Sequence, residues 1–386
     1  MVALTIVESF DAVVVGAGPA GSTAAHLLAR EGVSVLLVDR AVFPRDKPCG
    51  GGLTGRAARL LPCSVDAVVE DRIEVAEVRL RYRSSFQRRA RAPLALMTQR
   101  RRLDAFLVDR AAAAGADVRD GVKVSDVRED ALVVGGREIA TRALIVADGA
   151  NGPTGRAVGL GGDVVHGVAL EGNAPYPNER YRSRMVLEFA IVPGGYGWVF
   201  PKGDHVNVGV GGWQSEGPQL RAHLARLCTE HGIDEATVTE VRGHRLPMRR
   251  SENRIARGQV ALVGDAAGLV DPFSGDGMYE ALASARFAAA AVQELLAGRV
   301  ADLGGYAAAV GRTLVPLTAA GWGAKLAMDR FPRATFACVR LPVTWRVVEK
   351  LLLGELGHPG AARGADRAAV RLIEALARRA SAEPAA

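Results

Sequence analysis

Three glycines open the list of residues whose types and spacing could do chemistry. Gly16-Ala17-Gly18-Pro19-Ala20-Gly21 is a Gly-x-Gly-x-x-Gly turn. In such a turn the first glycine makes the tight bend, the second lets backbone approach a pyrophosphate, and the third lets helix and strand pack closely. A helix starting there offers free N–H groups and partial positive charge to phosphate. Asp39, followed by Arg40, stands eighteen residues after Gly21, where a carboxylate can accept hydrogen bonds from an adenosine ribose. Two further acids sit beside glycine, in Asp148-Gly149 and Gly264-Asp265. Cys49 opens a glycine run, Gly50-Gly51-Gly52, and Tyr196, Trp198 and Phe200 alternate. His166, His205, His223, His231 and His244 are dispersed and no Gly-x-Ser-x-Gly occurs, which excludes a hydrolase nucleophile. The four cysteines form neither a CxxC pair nor metal-ligand spacing, so no metal centre is expected and a reducing compartment is.

The elements around these residues give them their meaning. Asp11–Val15 is a short apolar run of buried-strand type, and Ser22–Arg30 predicts a helix with Gly32 as its cap. Val33–Val38 predicts a second strand, ending in Asp39. A glycine turn between strand and helix, with its acid at this distance, reads as a dinucleotide site. Ala143–Ala147 and Val260–Val263 are further buried strands, running into Asp148-Gly149 and Gly264-Asp265. In open α/β sheets ligands sit beyond the carboxyl ends of the strands, so these loops should converge on the glycine turn. A nicotinamide dinucleotide has no need of a carboxylate from so far along the chain. A flavin has, because its ribityl hydroxyls need an acceptor, and Asp265 is the candidate. The cofactor read from these residues is FAD. With no second Gly-x-Gly-x-x-Gly turn joining a buried strand to a helix, NAD(P)H would visit transiently, or a ferredoxin-like donor would serve.

The 386 residues, 49% apolar and 24% charged, have the composition of a soluble globular protein of two or three lobes. The expected location is cytoplasmic: Met1–Phe10 lacks the pattern of a secretory leader, and Ala281–Val292, the longest apolar stretch, is broken by Arg286. The net charge of +7 suits an acidic ligand or an anionic surface, although the arginines from Arg79 to Arg102 equally fit a solvated basic face. With aromatics at 5% and no zinc or helix-turn-helix spacing, nucleic acid is not an expected partner. Nothing in the sequence specifies an oligomeric state.

The glycine turn, Asp148-Gly149 and Gly264-Asp265, in that order, resemble the p-hydroxybenzoate hydroxylase type of FAD fold. The resemblance implies an α/β protein: a Rossmann-like FAD-binding domain (1–75, 97–155 and 255–328), an inserted antiparallel-sheet substrate domain (76–96 and 156–254) and a helical C-terminal region (329–386). It implies a phosphate contact for Arg100, within Arg100-Arg101-Arg102, and an adenine contact for the backbone of Val124. Lys47-Pro48-Cys49-Gly50-Gly51, Tyr196-Gly197-Trp198-Val199-Phe200-Pro201 and Asp271–Met278 narrow this to a resemblance to the geranylgeranyl reductase family. That family's pattern places Cys49, Gly50 and Gly51 against the flavin, with Cys49 as a candidate catalytic thiol. It puts Tyr196, Trp198 and Phe200 along the substrate channel. Gly275, Asp276, Gly277 and Met278 open a helix whose N-terminus would favour negative charge at the flavin pyrimidine edge. Relatives commonly carry Glu where this chain has Asp276.

The activity implied is FAD-dependent saturation of C=C bonds in a polyprenyl chain of a lipid or quinone. The alternative on the same fold is a monooxygenase hydroxylating an aromatic or polyketide substrate. A halogenase is disfavoured, because that branch carries Trp-x-Trp-x-Ile-Pro where this chain has Tyr196–Pro201. Phe336–Leu353 interleaves apolar residues with Arg340, Arg346 and Lys350 and predicts a helix after Pro342. Such a helix either lies at the inner face of the membrane or docks over the substrate lobe. Ala361–Ala386 predicts a frayed end.

Overall fold

The computed structural model describes residues 8–162, 164–250 and 253–382. Met1–Val7, on which the leader-free reading partly rests, and the last four residues lie outside them. The first layer follows from continuous apolar runs. In strand β1 (Glu8–Val15) the residues Ala12, Val13, Val14 and Val15 are all buried, because parallel neighbours flank the strand and helices cover both faces. Helix α1 (Pro19–Arg30) starts three residues earlier than the periodicity alone predicts; Pro19, with its fixed φ and no N–H to satisfy, suits a first helical turn. Strand β2 (Val35–Val38) and strand β3 (Arg137–Val146) flank β1 in parallel, pairing Val13 with Leu36 and with Leu144. Outside β3 lies strand Val260–Leu262, and a hairpin of Val124–Val127 and Ala131–Val134 extends from β3. α1 packs between helix α2 (Arg100–Ala113) and helix α3 (Met278–Leu296).

The second layer is a seven-stranded sheet. Its centre is built from β4 (Val164–Pro175), β5 (Arg184–Phe189), β6 (Tyr196–Lys202), β7 (His205–Trp213) and β8 (Thr239–Arg249), in the order β8-β4-β7-β6-β5. Strands Val75–Leu80 and Ser84–Arg89 complete it. These pairs are antiparallel except β5 with Val75–Leu80, which run parallel because they come from two separate excursions of the chain rather than one hairpin. The outer face carries Val186, Val199, Val206 and Val208, covered by helix Leu220–His231. The inner face looks back toward the glycine turn.

The C-terminal region is helical to the end of the described residues: α4 (Val315–Arg330), α5 (Pro332–Arg340), α6 (Pro342–Leu352) and α7 (Gly364–Ala382). The amphipathic stretch from Phe336 is thus two helices, broken at Leu341 before Pro342. Trp345 packs its ring 6.1 Å from Phe86, with Phe336 alongside, so α6 docks inward. The expected frayed end is instead α7. Ala369, Val370, Ile373 and Ala377 share one face, and that face becomes stable only where α4 and α6 receive it. Asp366 of α7 is paired with Arg346 and Lys350 of α6. Among the described residues no helix is long and apolar enough to cross a membrane.

Candidate active site

The three parts enclose one cavity of ≈ 1260 Å³, reaching from the carboxyl ends of the first sheet, over the inner face of the second, to α4–α7. Its dinucleotide end is shaped by glycine. Gly16 has φ +101° and a Cβ there would lie 2.4 Å from the Ala147 carbonyl oxygen; one on Gly21 would lie 1.8 Å from the Gly16 oxygen. Ala17 N–H and Ala41 N–H donate to the two Asp39 carboxylate oxygens at 2.7 and 2.8 Å, tying the turn to the end of β2. Gly18, Pro19, Ala20, Asp39 and Arg40 line the cavity.

Gly18 faces two guanidinium groups, those of Arg45 and Arg100, 3.7 and 3.9 Å from where its Cβ would be. Arg100 donates twice to the buried Asp104 carboxylate, both at 2.7 Å, and Arg45 Nη1 lies 2.9 Å from Asp104 Oδ2 without hydrogen-bond alignment. One carboxylate between two guanidinium groups leaves net positive charge beside the N-terminus of α1, which suits a pyrophosphate. Of the three consecutive arginines only Arg100 is buried; Arg101 is exposed, and Arg102 pairs with Glu70. Val124 does not line the cavity. The chain has by then turned away to pair with Ala131–Val134, and Gly121 and Val122 are the residues that bond to Ala41 and Asp39.

At the centre of the cavity stand the acids. Thr154 N–H donates to Asp148 Oδ2 at 3.0 Å, while Asp148 Oδ1 is buried and has no hydrogen-bond partner within the protein. Burial pushes the Asp148 carboxyl up. Asp265 is half-buried, and Lys47 Nζ at 3.2 Å and His244 Nε2 at 3.7 Å outweigh its desolvation and hold its carboxyl well below the usual range. Asp271 ties its own loop by accepting from Phe273 N–H, Ser274 N–H and the Ser274 hydroxyl, which presents Gly275, Asp276 and Gly277 at the start of α3. Asp276 Oδ1 takes Met278 N–H at 2.9 Å, and its Oδ2, like Asp148 Oδ1, is buried without a partner. Orphaned acceptors and a helix N-terminus along one cavity fit a cofactor with hydroxyls at its middle and an amide edge at its end. The residues present therefore fit FAD.

The inner face of the second sheet forms the floor. Tyr196, Trp198 and Phe200 share this face, with neighbouring ring centroids 6.0 and 6.2 Å apart. Gly50 sits on this aromatic row, its Cβ position 3.1 Å from Phe200. Gly51 N–H donates to Cys49 Sγ at 3.3 Å. Sequence reasoning missed the groups that grip this loop. Glu171 of β4 accepts Cys49 N–H at 2.5 Å, and Lys202 donates to the carbonyls of Cys49 and Thr98 at 3.2 and 3.0 Å. Glu171 carried a usable signal, as the only charged side chain at the alternate positions Gly167, Ala169 and Glu171. Asp104, four residues after Arg100, had the spacing of a helical ion pair, whereas Arg45 and His244 carried no signal, since only the fold brings them to the site. Lys325 of α4, also in the wall, donates to the Gly194 carbonyl and lies 4.3 Å from the Trp213 ring centroid; burial pulls it down to about 8. Beyond the aromatic row the lining is mainly apolar, with Leu187, Leu246 and Met248 of the sheet and Val347, Leu351 and Ile373 of the helices, and with His358, Glu374 and Arg378 among its polar members.

A dinucleotide turn, far-delivered acids and an apolar second chamber define an FAD-dependent oxidoreductase. Residues 9–303 match the FAD binding domain family, and the chain belongs to it. Within it, the chain is a member of the geranylgeranyl reductase family. It is 35% identical over 318 residues to menaquinone reductase of Mycobacterium tuberculosis, covering 74% of this chain and 77% of that one. It is 35% identical over 315 residues to geranylgeranyl diphosphate reductase of Rhodobacter capsulatus, covering 76% and 78%. Among solved structures, a geranylgeranyl bacteriochlorophyll reductase-like protein from Thermoplasma acidophilum superposes with a TM-score of 0.79 at 22% identity, over 94% of this chain and 96% of that one. A flavin-dependent brominase gives 0.74 at 19%, over 96% and 100%; at such identities the likeness is one of fold.

Proposed function

We propose that this protein saturates C=C bonds in the polyprenyl chain of a lipid or quinone. The observation that carries this reading is the continuity of the cavity. The cofactor end opens directly into an apolar chamber walled by the second sheet and α4–α7, a shape suited to a long hydrocarbon rather than a small polar substrate. The names of the relatives, geranylgeranyl diphosphate reductase and menaquinone reductase, support it.

Bound and reduced, FAD supplies a hydride. In this reading Gly16, Gly18, Pro19, Ala20, Arg45 and Arg100 hold its pyrophosphate, and Asp39 with Arg40 its adenosine end. Asp148, Gly149, Gly264 and Asp265 meet its hydroxyls, and Gly275–Met278 the far edge of its ring. Cys49, Gly50 and Gly51 would line the ring site, with Tyr196, Trp198 and Phe200 flanking the prenyl chain. Electrons come from NAD(P)H or a ferredoxin-like donor. The substrate is reached from the cytoplasmic face of a membrane, where Leu341, 43% exposed, projects at the α5–α6 junction beside the exposed Arg333 and Arg340.

To test the activity, the flavin is reduced anaerobically and a geranylgeranyl lipid added. A product heavier by two hydrogens is expected; incorporation of oxygen under air would show a monooxygenase instead. Vesicle flotation tests the membrane contact: the protein should rise with anionic vesicles and less so in high salt.

A further inference from the structure

We propose that Glu171 is the acid that protonates the alkene, held in place by the Cys49 loop above it and Lys202 beside it. This rests on the prenyl-reductase reading. Saturating an isolated alkene requires a hydride at one carbon and a proton at the other, and the proton must come from a group inside an apolar chamber.

β4 turns Gly167, Ala169 and Glu171 toward the cavity, so Glu171 is the charged group of that row. Across the ladder it faces Gly209 of β7, and Gly209 faces Trp198 of β6. A Cβ on Gly209 would lie 2.1 Å from the Trp198 ring. The glycine thus lets the indole lie over the middle strand, with the carboxyl on the next. Glu171 Oε1 accepts Cys49 N–H at 2.5 Å, the Asn207 side chain also meets the carboxyl, and a protonated carboxyl keeps acceptor capacity for such donors. Lys202 grips the same loop, and Gly51 has no room for a side chain: its Cβ would be 2.3 Å from Lys202 Nζ.

Burial, helped by Asp46, keeps Glu171 in the acid form to higher pH than an exposed glutamate, against the pull of Lys202, Cys49 N–H and the Asn207 side chain. The other charged groups on neighbouring elements are Asp46 of the loop and Arg242 of β8, which pair with each other, and His244, which is turned to Asp265. Two other proton-bearing groups of the cavity are committed to backbone carbonyls. The Tyr196 hydroxyl donates to the Ser274 carbonyl at 2.5 Å, and Lys325 donates to Gly194. Asp276, whose Oδ2 has no partner, stands at the N-terminus of α3, in the stretch assigned to the far edge of the flavin ring rather than to the prenyl chain.

In the step, the alkene π pair forms a C–H bond with the Glu171 proton, and the hydride supplied by reduced FAD forms the C–H bond at the other carbon. The alkene gains two electrons, the flavin loses two, and Glu171 is left as a carboxylate that Lys202 and Cys49 N–H stabilise. Water returns the proton, and the NAD(P)H or ferredoxin-like donor returns the electrons.

The decisive variant is Glu171→Gln, which keeps the volume and the acceptor for Cys49 N–H but has no proton to give. Bound-flavin content, visible spectrum and melting temperature should match wild type, and so should reduction by dithionite. Flavin reoxidation by a geranylgeranyl lipid under anaerobic conditions should fall by about 100-fold or more. Infrared difference spectra of flavin reduction should show a protonated-carboxyl band in wild type that Glu171→Gln lacks. A wild-type reoxidation rate in the variant, or the same band in both proteins, overturns the proposal. A parallel loss of bound flavin overturns it too, since Glu171 would then only shape the loop. Wild-type protein run alongside separates the failures: if it does not hydrogenate the lipid, the reductase reading itself falls.

Discussion

Asp104 shows what a single side chain does here. It is fully buried, it accepts two hydrogen bonds from Arg100, and it neutralises one of the two guanidinium groups that face Gly18. Asp104→Asn should leave those cations opposed and cost roughly 3–5 kcal/mol, the usual penalty for breaking a buried pair. Urea unfolding measures it, and added FAD should restore more stability to the variant than to wild type, because its phosphates take over the neutralising role. The glycines act through space alone. Gly21→Ala puts a methyl group 1.8 Å from the Gly16 oxygen, so the turn must open, and the purified variant should carry little flavin by its visible absorbance. Lys325 gives a pH signature. Its ammonium is pulled from an ordinary 10.5 to about 8 by burial, against Asp329 and Asp271. Between those values the unfolded chain binds more protons than the folded one, so stability rises with pH across that window. Lys325→Met should flatten that rise in melting temperature measured from pH 8 to 10.

At the scale of elements, the second sheet and the C-terminal helices divide the work of enclosing the substrate. α7 supplies Val370, Ile373 and Ala377 to the cavity wall, and Ala377 meets Gly323 of α4 at 3.3 Å from where that glycine's Cβ would be. A bulky side chain there narrows the distal chamber without touching the glycine turn. Ala377→Phe should keep its flavin and still reduce a short prenyl lipid, while turnover of the geranylgeranyl form drops by about tenfold or more, an order-of-magnitude expectation for blocking a shaped apolar site. Trp345 locks α6 onto Phe86 and Phe336; Trp345→Ala should cost about 3–5 kcal/mol, read by chemical denaturation.

At the scale of the molecule, local signals and long-range ones separate cleanly. The strand-turn-helix from Asp11 to Arg30, Asp39, and the acids after two later strands were legible because each depends on neighbours in sequence: an apolar run, a glycine spacing, a helix start. They determined an FAD fold, and the quoted motifs led to the reductase family. The tertiary structure alone decided that α7 exists as a packed helix, since its apolar face is stable only against α4 and α6. It alone brought Arg45 to the carboxylate that Arg100 already holds four residues away on α2, put Gly121 and Val122 rather than Val124 beside Asp39, and set Glu171 under the Cys49 loop. Those contacts join residues tens to hundreds of positions apart. Their energy comes from burial and charge pairing in three dimensions, which no local pattern records.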